Sequence, residues 1–182
     1  MTTNKANKTK FCLLGLLSQK PMSGYEINKN LKENTKFFWS ESFGQVYPAL
    51  TELTNEKLIE LCDTQNKIKG RKPKQIYSIT SIGREKLIAW LQKSVELQNN
   101  RNELLLKLYF GWNLGNQECI FHIKARQIKL QEKLKKINNL YERVHRESSE
   151  QAFHHKLTLM HALKIKSAEI SWCEDVIKML ES

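Results

Sequence analysis

A run of basic side chains separates two β-rich segments in the first half of the chain. Between Asp63 and Gln75 there are five Lys and Arg residues and no acid, and Gly70 and Pro73 mark the segment as a loop. Charged groups on a loop face solvent or a polyanion. Because they neutralise phosphates and release counterions, the segment predicts a nucleic-acid contact, with a solvated turn as the alternative. Four residues are expected to make this contact: Lys69, Arg71, Lys72 and Lys74. Arg71 is the candidate to enter a minor groove, because Arg suits narrow negative grooves.

A helix of suitable pattern precedes this loop. The stretch "SFGQVYPALTELTNEKLIEL", residues 42–61, places Val46, Leu50 and Leu53 on one helical face. Pro48 fits if the helix begins three or four residues before it, because the N–H groups of a first turn have no internal partner. The opposite, polar face is then free to contact a ligand.

The polar face offers side chains suited to bases and phosphates. Gln45 lies near the expected helix start, where its amide can pair with adenine, or it is simply a polar residue at a helix start. Ser42 and Tyr47 offer hydroxyls to phosphates, although the Tyr47 ring can instead belong to the core. Thr51 faces the same way or is merely exposed. Glu52 would repel phosphates unless it accepts from a cytosine amino group, points away or pairs with a neighbouring Lys.

The neighbouring segments complete a recognisable order of elements. We expect a buried helix at 11–17, and Ser23 with Glu26 forms a capping box that begins a second helix. "LIELC" and "QIYSI" predict two short strands on either side of the basic loop. Thr80 caps a further helix whose expected inner face is Ile82, Leu87, Trp90 and Leu91. This order is typical of a winged helix-turn-helix, whose third helix enters the DNA major groove and whose hairpin reaches the flanking backbone or minor groove.

The second half predicts helices of a different kind. "NELLLKLYFGW" reads as one apolar helix closed by Gly115, with Asn116 as the cap of a long helix. The expected inward positions of that helix are Ile120, Ile123, Gln127, Leu130, Leu134, Ile137, Tyr141 and Val144. A last helix after "RESSE" has similar spacing at Met160, Leu163, Ser167, Ile170, Cys173, Ile177 and Leu180. Each could run ~45 Å, and such narrow apolar stripes require partner helices, most simply from a second copy of the chain.

Composition favours a polyanionic partner. Of 182 residues, 30 are Lys or Arg and 19 are Asp or Glu, a formal net charge of +11. Residues 1–94 contain 16 of the basic and 8 of the acidic side chains, so the excess belongs mainly to the first half. The apolar run "FCLLGLL" is too short for a membrane span, and the opening residues lack signal-peptide features. We therefore expect a cytoplasmic protein without a membrane partner.

Neither catalysis nor metal binding is indicated. The chain contains no P-loop, GxGxxG, HExxH or GxSxG motif, so we expect neither an enzyme nor a cofactor. The four cysteines form no CxxC pair, which fits a reducing compartment and disfavours a zinc site or a disulfide framework. His154, His155 and His161 lack the i, i+4 spacing of a helical metal site, and we expect them to be structural or surface residues.

Four strings together resemble the PadR family of bacterial transcriptional regulators: "LLGLL", "SGYEI", "FGQVYPALTEL" and "IYSITSIG". They occur in the family's order and cover residues 11–91. The resemblance implies a mainly α protein, with an N-terminal winged helix-turn-helix bearing a two-stranded wing (1–95) and a C-terminal long-helix dimerisation domain (96–182). It implies a homodimeric repressor that binds palindromic operator DNA and is often released by a small aromatic effector. A non-catalytic interaction adaptor that docks its partner through the C-terminal helices is the competing hypothesis.

Further residues take their meaning from this resemblance. Tyr25 matches a family tyrosine that touches the DNA backbone, a buried tyrosine being the alternative. The family often has a glycine after the third helix, where this chain has "TNEKLIE", so the helix end stays open. Aromatic residues of the second half are candidates for an effector pocket, between the halves or across a dimer, with plain core packing as the alternative. They are Phe110, Trp112, Tyr141 and Trp172.

Overall fold

The computed structural model describes residues 3–39, 43–62, 75–95 and 101–182, with the side chains of 3–7 and 43 left out. The chain divides into two compact units, Met1–Glu96 and Leu97–Ser182. The described part is mainly helical with one small antiparallel sheet, which confirms the predicted fold class. Within these ranges, every helix is too short or too polar to span a lipid bilayer.

The described residues of the first unit form four α-helices and three short strands. The helices are α1 Thr3–Leu17, α2 Gly24–Asn30, α3 Phe43–Asn55 and α4 Ser81–Leu91, and α2 continues into a π-helical turn at Leu31–Thr35. The strands are β1 Met22–Ser23, β2 Ile59–Cys62 and β3 Ile76–Ile79, in the sheet order β1-β3-β2. The predicted hairpin of β2 and β3 is therefore present. β1 adds a third strand, which the sequence pattern did not reveal because it is only two residues long.

One face of α3 is buried as predicted. Val46, Leu50 and Leu53 lie in the core of the unit, together with leucines of α1 and with Ile27 of α2. The predicted capping box at the start of α2 is also present, because Ser23 Oγ accepts from the Glu26 N–H and the Glu26 carboxylate accepts from the Ser23 N–H. These local signals fix how the second and third helices are presented.

Three local predictions for this unit were wrong. α1 begins at Thr3, well before the expected start at residue 11. Leu87 is buried and Trp90 stacks on Phe11, with ring centroids 4.7 Å apart, but Ile82 is 56% exposed and Leu91 64% exposed. The inner face of α4 is narrower than its apolar content suggests because it contacts the core through Gly83, Leu87 and Trp90.

Pro48 is the sixth residue of α3 rather than part of its first turn. In a regular helix the N–H at this position would donate to the carbonyl of Gly44. Proline removes that bond and crowds the carbonyl, at a cost of up to ~3 kcal/mol. The burial of Val46, Leu50 and Leu53, worth ~1.5–3 kcal/mol each, offsets this cost from the opposite face.

The end of α3 is closed without the glycine that the family resemblance led us to look for. Lys57 has a positive φ of 56°, in the left-handed region. Its N–H donates to the Thr54 carbonyl at 3.0 Å, and the Leu58 N–H donates to the Leu53 carbonyl at 2.9 Å. This is the hydrogen-bond pattern of a Schellman motif, which usually has glycine at the left-handed position. Lys57 therefore carries a backbone strain that glycine would not.

The start of α4 is fastened to the end of α3 through Leu58. The Thr80 N–H donates to the Leu58 carbonyl at 3.0 Å, and the Thr80 hydroxyl accepts from the Gly83 N–H at 3.1 Å. A Cβ at Gly83 would collide with that same carbonyl oxygen. The close approach of α4 to the chain after α3 thus requires a residue without a side chain.

The second unit is built on two long antiparallel helices. It contains α5 Glu103–Tyr109, a 3₁₀ turn at Gly111–Asn113, α6 Asn116–His145 and α7 Glu150–Glu181. The ends of α6 and α7 are tied by a hydrogen bond from Asn116 Nδ2 to the Leu180 carbonyl, 3.2 Å, and by the Arg126–Glu169 ion pair, 2.6 Å. Burial of the Glu169 carboxyl raises its pKa, but hydrogen bonds from Lys166 and Arg126 outweigh this, so the net pKa lies below its usual value.

The inward stripes of these helices follow the prediction only in part. In α6, Ile120, Ile123, Leu130, Ile137 and Val144 are buried as expected, whereas Gln127, Leu134 and Tyr141 are half-buried. In α7, Met160 and Ser167 are exposed, and Leu159 and Ala162 are buried instead. In "LTLMHAL" the adjacent Leu159 and Met160 are both apolar, so the periodicity alone does not show which helix face is buried. Gly115, not Asn116, is the N-cap of α6.

Replacing Gly83 by Ala should destabilise the first unit because the new Cβ meets the Leu58 carbonyl. We expect the free energy of unfolding to fall by about 1–3 kcal/mol, measured by urea denaturation. Gly15→Ala is the matched control: nothing lies near its Cβ position in α1, so we expect stability to rise by up to ~1 kcal/mol. Equal effects of the two substitutions would contradict the proposed contact.

Replacing Lys57 by Gly should stabilise the protein by ~1 kcal/mol, because glycine adopts the left-handed backbone without steric cost. Lys29→Gly is the control: Lys29 lies in the last turn of α2, and the same substitution there should lower stability by up to ~1 kcal/mol. Thermal unfolding of both variants measures the difference. A loss of stability in both would show that Lys57 bears no such strain.

Candidate nucleic-acid interface and aromatic site

The face of α3 opposite the core is fully available to a ligand. Gly44, Gln45, Tyr47, Pro48 and Thr51 are all exposed. At 100° per residue, Gly44, Pro48 and Thr51 form a stripe on the outer side, flanked by Gln45 and Tyr47. Among the described residues, no atom lies within 4 Å of a Cβ built at Gly44, so the helix is open at this position. This face combines amide, hydroxyl and apolar groups, which are the kinds of group that contact base edges in the major groove.

Two tyrosines extend the exposed face from α3 to α2. Tyr25 is 68% exposed, which excludes the buried alternative, and Tyr47 is 47% exposed, so its ring does not belong wholly to the core. A Cβ at Gly24 would lie 2.8 Å from Cε1 of Tyr47, so the ring rests directly on the start of α2. Both phenols can therefore reach a ligand while the Tyr47 ring stays positioned by Gly24.

The polar groups of α3 are partly committed to internal contacts. The Thr51 hydroxyl donates to the Tyr47 carbonyl at 3.1 Å, which leaves its oxygen as an acceptor and its methyl group exposed. Glu52 pairs with Lys10 of α1 at 2.8 Å, so the expectation that it pairs with a Lys is confirmed. The partner is distant in the sequence, which periodicity did not reveal.

The basic loop starts and ends at a defined point of the sheet. Cys62 and Ile76 are the last paired residues of β2 and β3, so residues 63–75 close the hairpin at that end. Five candidate residues lie outside the part of the chain that the structure describes: Ser42, Lys69, Arg71, Lys72 and Lys74. Their contacts with DNA stay predictions.

Three exposed aromatic rings form a cluster at one end of the second unit. Phe110 and Trp112 have centroids 5.5 Å apart, and Tyr109 meets them edge-on at 5.0 and 6.1 Å. Trp112 is 73% exposed. Tyr109 was not among the predicted residues, although "YFGW" placed it next to them. Such an open cluster can stack on a flat apolar molecule.

The other two candidate aromatics occupy different places. Trp172 packs against the cluster of Ile123, Leu130 and Cys173, which also receives Leu108 of α5, so it lies at the same end of the α6–α7 hairpin. Tyr141 stacks on His145 near the opposite end of α6, at 5.7 Å. Twenty-five residues separate Tyr141 from the start of α6, or ~38 Å, so one chain does not bring all four together.

Comparisons with known proteins cover almost the whole chain. Residues 13–89 match the Transcriptional regulator PadR-like family, and residues 100–181 match the Virulence activator alpha C-term family. The negative transcriptional regulator PadR of Bacillus subtilis is 32% identical, with 94% of this chain and 97% of the relative covered. The crystal structure of Bacillus subtilis PadR in complex with operator DNA matches with a TM-score of 0.83 and 34% identity, over 94% of this chain and 98% of that one. The complex of Bacillus subtilis PadR with p-coumaric acid matches with a TM-score of 0.80 and 30% identity, over 95% and 98%.

Proposed function

We propose, because the chain belongs to the PadR-like family of transcriptional regulators, that it is a homodimeric repressor that binds a palindromic operator. The observation that carries this proposal is the exposed polar face of α3, held by its buried opposite side, in a fold that matches an operator complex with a TM-score of 0.83. A protein of this kind acts in the cytoplasm, where bacterial DNA lies. The relatives in this comparison are regulators of transcription and not enzymes.

The proposed DNA contacts are of two kinds, contacts with base edges and contacts with phosphates. Gln45 and Thr51 approach base edges from α3, while Ser42, Tyr25 and Tyr47 contact phosphates. Lys69, Arg71, Lys72 and Lys74 supply the sequence-independent attraction from the loop between β2 and β3. The exposure of Gln45, Thr51 and both tyrosines supports this division.

Apolar side chains left exposed on the long helices support the homodimer. Phe121 and Ile128 are exposed and one heptad apart on α6, and Phe153, Leu157 and Met160 form an exposed stripe on α7. Exposed large apolar residues that recur on one helix face are typical of an interface rather than a solvated surface. A second copy presenting the same stripes would cover them symmetrically.

We further propose that a planar aromatic acid is the effector. Bacillus subtilis PadR has a solved complex with p-coumaric acid, and this chain carries the open cluster of Tyr109, Phe110 and Trp112. Trp172 lies at the same end of the hairpin and completes the proposed site within one chain. Tyr141 joins such a site only if a second protomer supplies it.

The operator contacts can be tested by selecting duplexes from random DNA and measuring affinity against salt. Gln45→Ala should cost ~1–3 kcal/mol, mainly at one base position, because a bidentate base contact is lost. Arg71→Ala with Lys72→Ala should weaken binding to all sequences and reduce the slope of log K against log salt by about 2. Gln19→Ala is the control for Gln45, because Gln19 is exposed in the turn after α1. A selection that returns no enriched palindrome would exclude the proposed function.

The effector site can be tested by calorimetric titration with p-coumaric acid. Trp112→Ala should weaken binding about twofold to twelvefold, because an aromatic stacking contact is worth ~0.5–1.5 kcal/mol. Trp90→Phe, which keeps an aromatic ring on Phe11 in the other unit, should bind like the unmodified protein. Equal affinity of all three proteins would remove the cluster from the effector site.

A further inference from the structure

A four-residue ion-pair cluster joins three helices of the first unit. Lys10 Nζ of α1 lies 2.8 Å from Glu52 and 2.6 Å from Glu56, both near the end of α3. Lys86 of α4 lies 3.0 Å from the other oxygen of Glu56. Two lysines thus balance two carboxylates, and Lys10 is the residue that contacts both acids.

These carboxylates lie on the flank of α3 that carries Gln45. Glu52 and Glu56 follow Gln45 by seven and eleven residues, which at 100° per residue places both within about 20° of its direction. They are about 10 and 16 Å further along the helix axis. A duplex that meets Gln45 is therefore within one or two Debye lengths, ~8–10 Å each, of both acids.

Unpaired, these two charges would oppose the approach of phosphates. Glu52 is 58% exposed and stands next to the proposed reading face, so its repulsion of DNA would not be shielded by protein. Lys10 removes this repulsion, and its own side chain is only 18% exposed, largely covered by the helices that it joins. Hydrogen bonds to Glu52 and Glu56 raise the pKa of Lys10, and hydrogen bonds from Lys10 and Lys86 lower the pKa of Glu56. Lys10 and Glu56 therefore both stay charged near neutral pH.

We propose that Lys10 is a positioning residue for operator binding: it neutralises Glu52 and Glu56 and fixes their flank of α3 against α1, without contacting DNA itself. This rests on the proposed function. A phosphate-binding Lys would instead present an extended, exposed ammonium group. Lys10 lies within hydrogen-bonding distance of both carboxylates, so its charge is balanced by ion pairs inside the protein.

The test is a set of variants measured on the duplex recovered by random selection. Lys10→Met should weaken binding about fivefold, because two carboxylates beside the duplex lose their shared partner. In the Glu52→Gln, Glu56→Gln background, Lys10→Met should change affinity by less than about twofold, since no negative charge remains to be neutralised. Binding is measured at a temperature where circular dichroism shows every variant folded.

Lys8→Met is the matched control because it removes the same charge from the same helix. We expect it to weaken binding less than Lys10→Met does. An unchanged affinity of Lys10→Met, an equal loss in the Gln background, or an equal loss in Lys8→Met would each overturn the positioning role alone. Failure of the unmodified protein to bind any duplex would overturn the proposed function, and this inference with it.

Discussion

The first unit depends on one constraint: α3 must be held firmly from one side while its other side stays free. Val46, Leu50 and Leu53 are fully buried, and at ~1.5–3 kcal/mol each they supply the holding force. The opposite side carries a proline and a glycine, and both residues destabilise a helix. A helix of this composition would not persist in water alone. Burial of the inner face against α1 and α2 therefore offsets the destabilising residues on the exposed face.

The same constraint explains the tight structure after α3. The chain turns through the strained Lys57, and Leu58 then serves two neighbours, with its N–H bonded to Leu53 and its carbonyl to Thr80. Because Gly83 admits the carbonyl, α4 begins almost in contact with the end of α3. Rotation of α3 about its axis would have to break these bonds together. The direction of its outer face is thus fixed at the C-terminal end by hydrogen bonds and along its length by apolar burial.

The sequence predicted reliably those structural features that depend on residues close together in the chain. The capping box at Ser23 and the buried face of α3 were predicted correctly, because each rests on residues within a few positions of one another. Features that need a distant partner were not. Whether α7 buries Leu159 or Met160 depends on α6, and the partner of Glu52 comes from α1. The aromatic site was predicted as four residues, but the structure groups Phe110 and Trp112 with Tyr109 and separates Tyr141 along a rigid helix.

The distribution of charge also differs between α3 and the rest of the first half of the chain. α3 contains no Lys or Arg, and its one acid, Glu52, is paired. The helix proposed to read bases therefore contributes no attraction of its own to a polyanion. The first half contains 16 basic and 8 acidic side chains, and we propose that the attraction to DNA comes mainly from the basic residues between β2 and β3. Because phosphate contacts position a protein and base contacts select the sequence, the proposed contacts keep the two tasks on separate segments, base contacts on α3 and phosphate contacts on residues 69–74. Substitutions on the exposed face of α3 can then change the selected sequence without disturbing the core, because Val46, Leu50 and Leu53 contribute to that core from the opposite face.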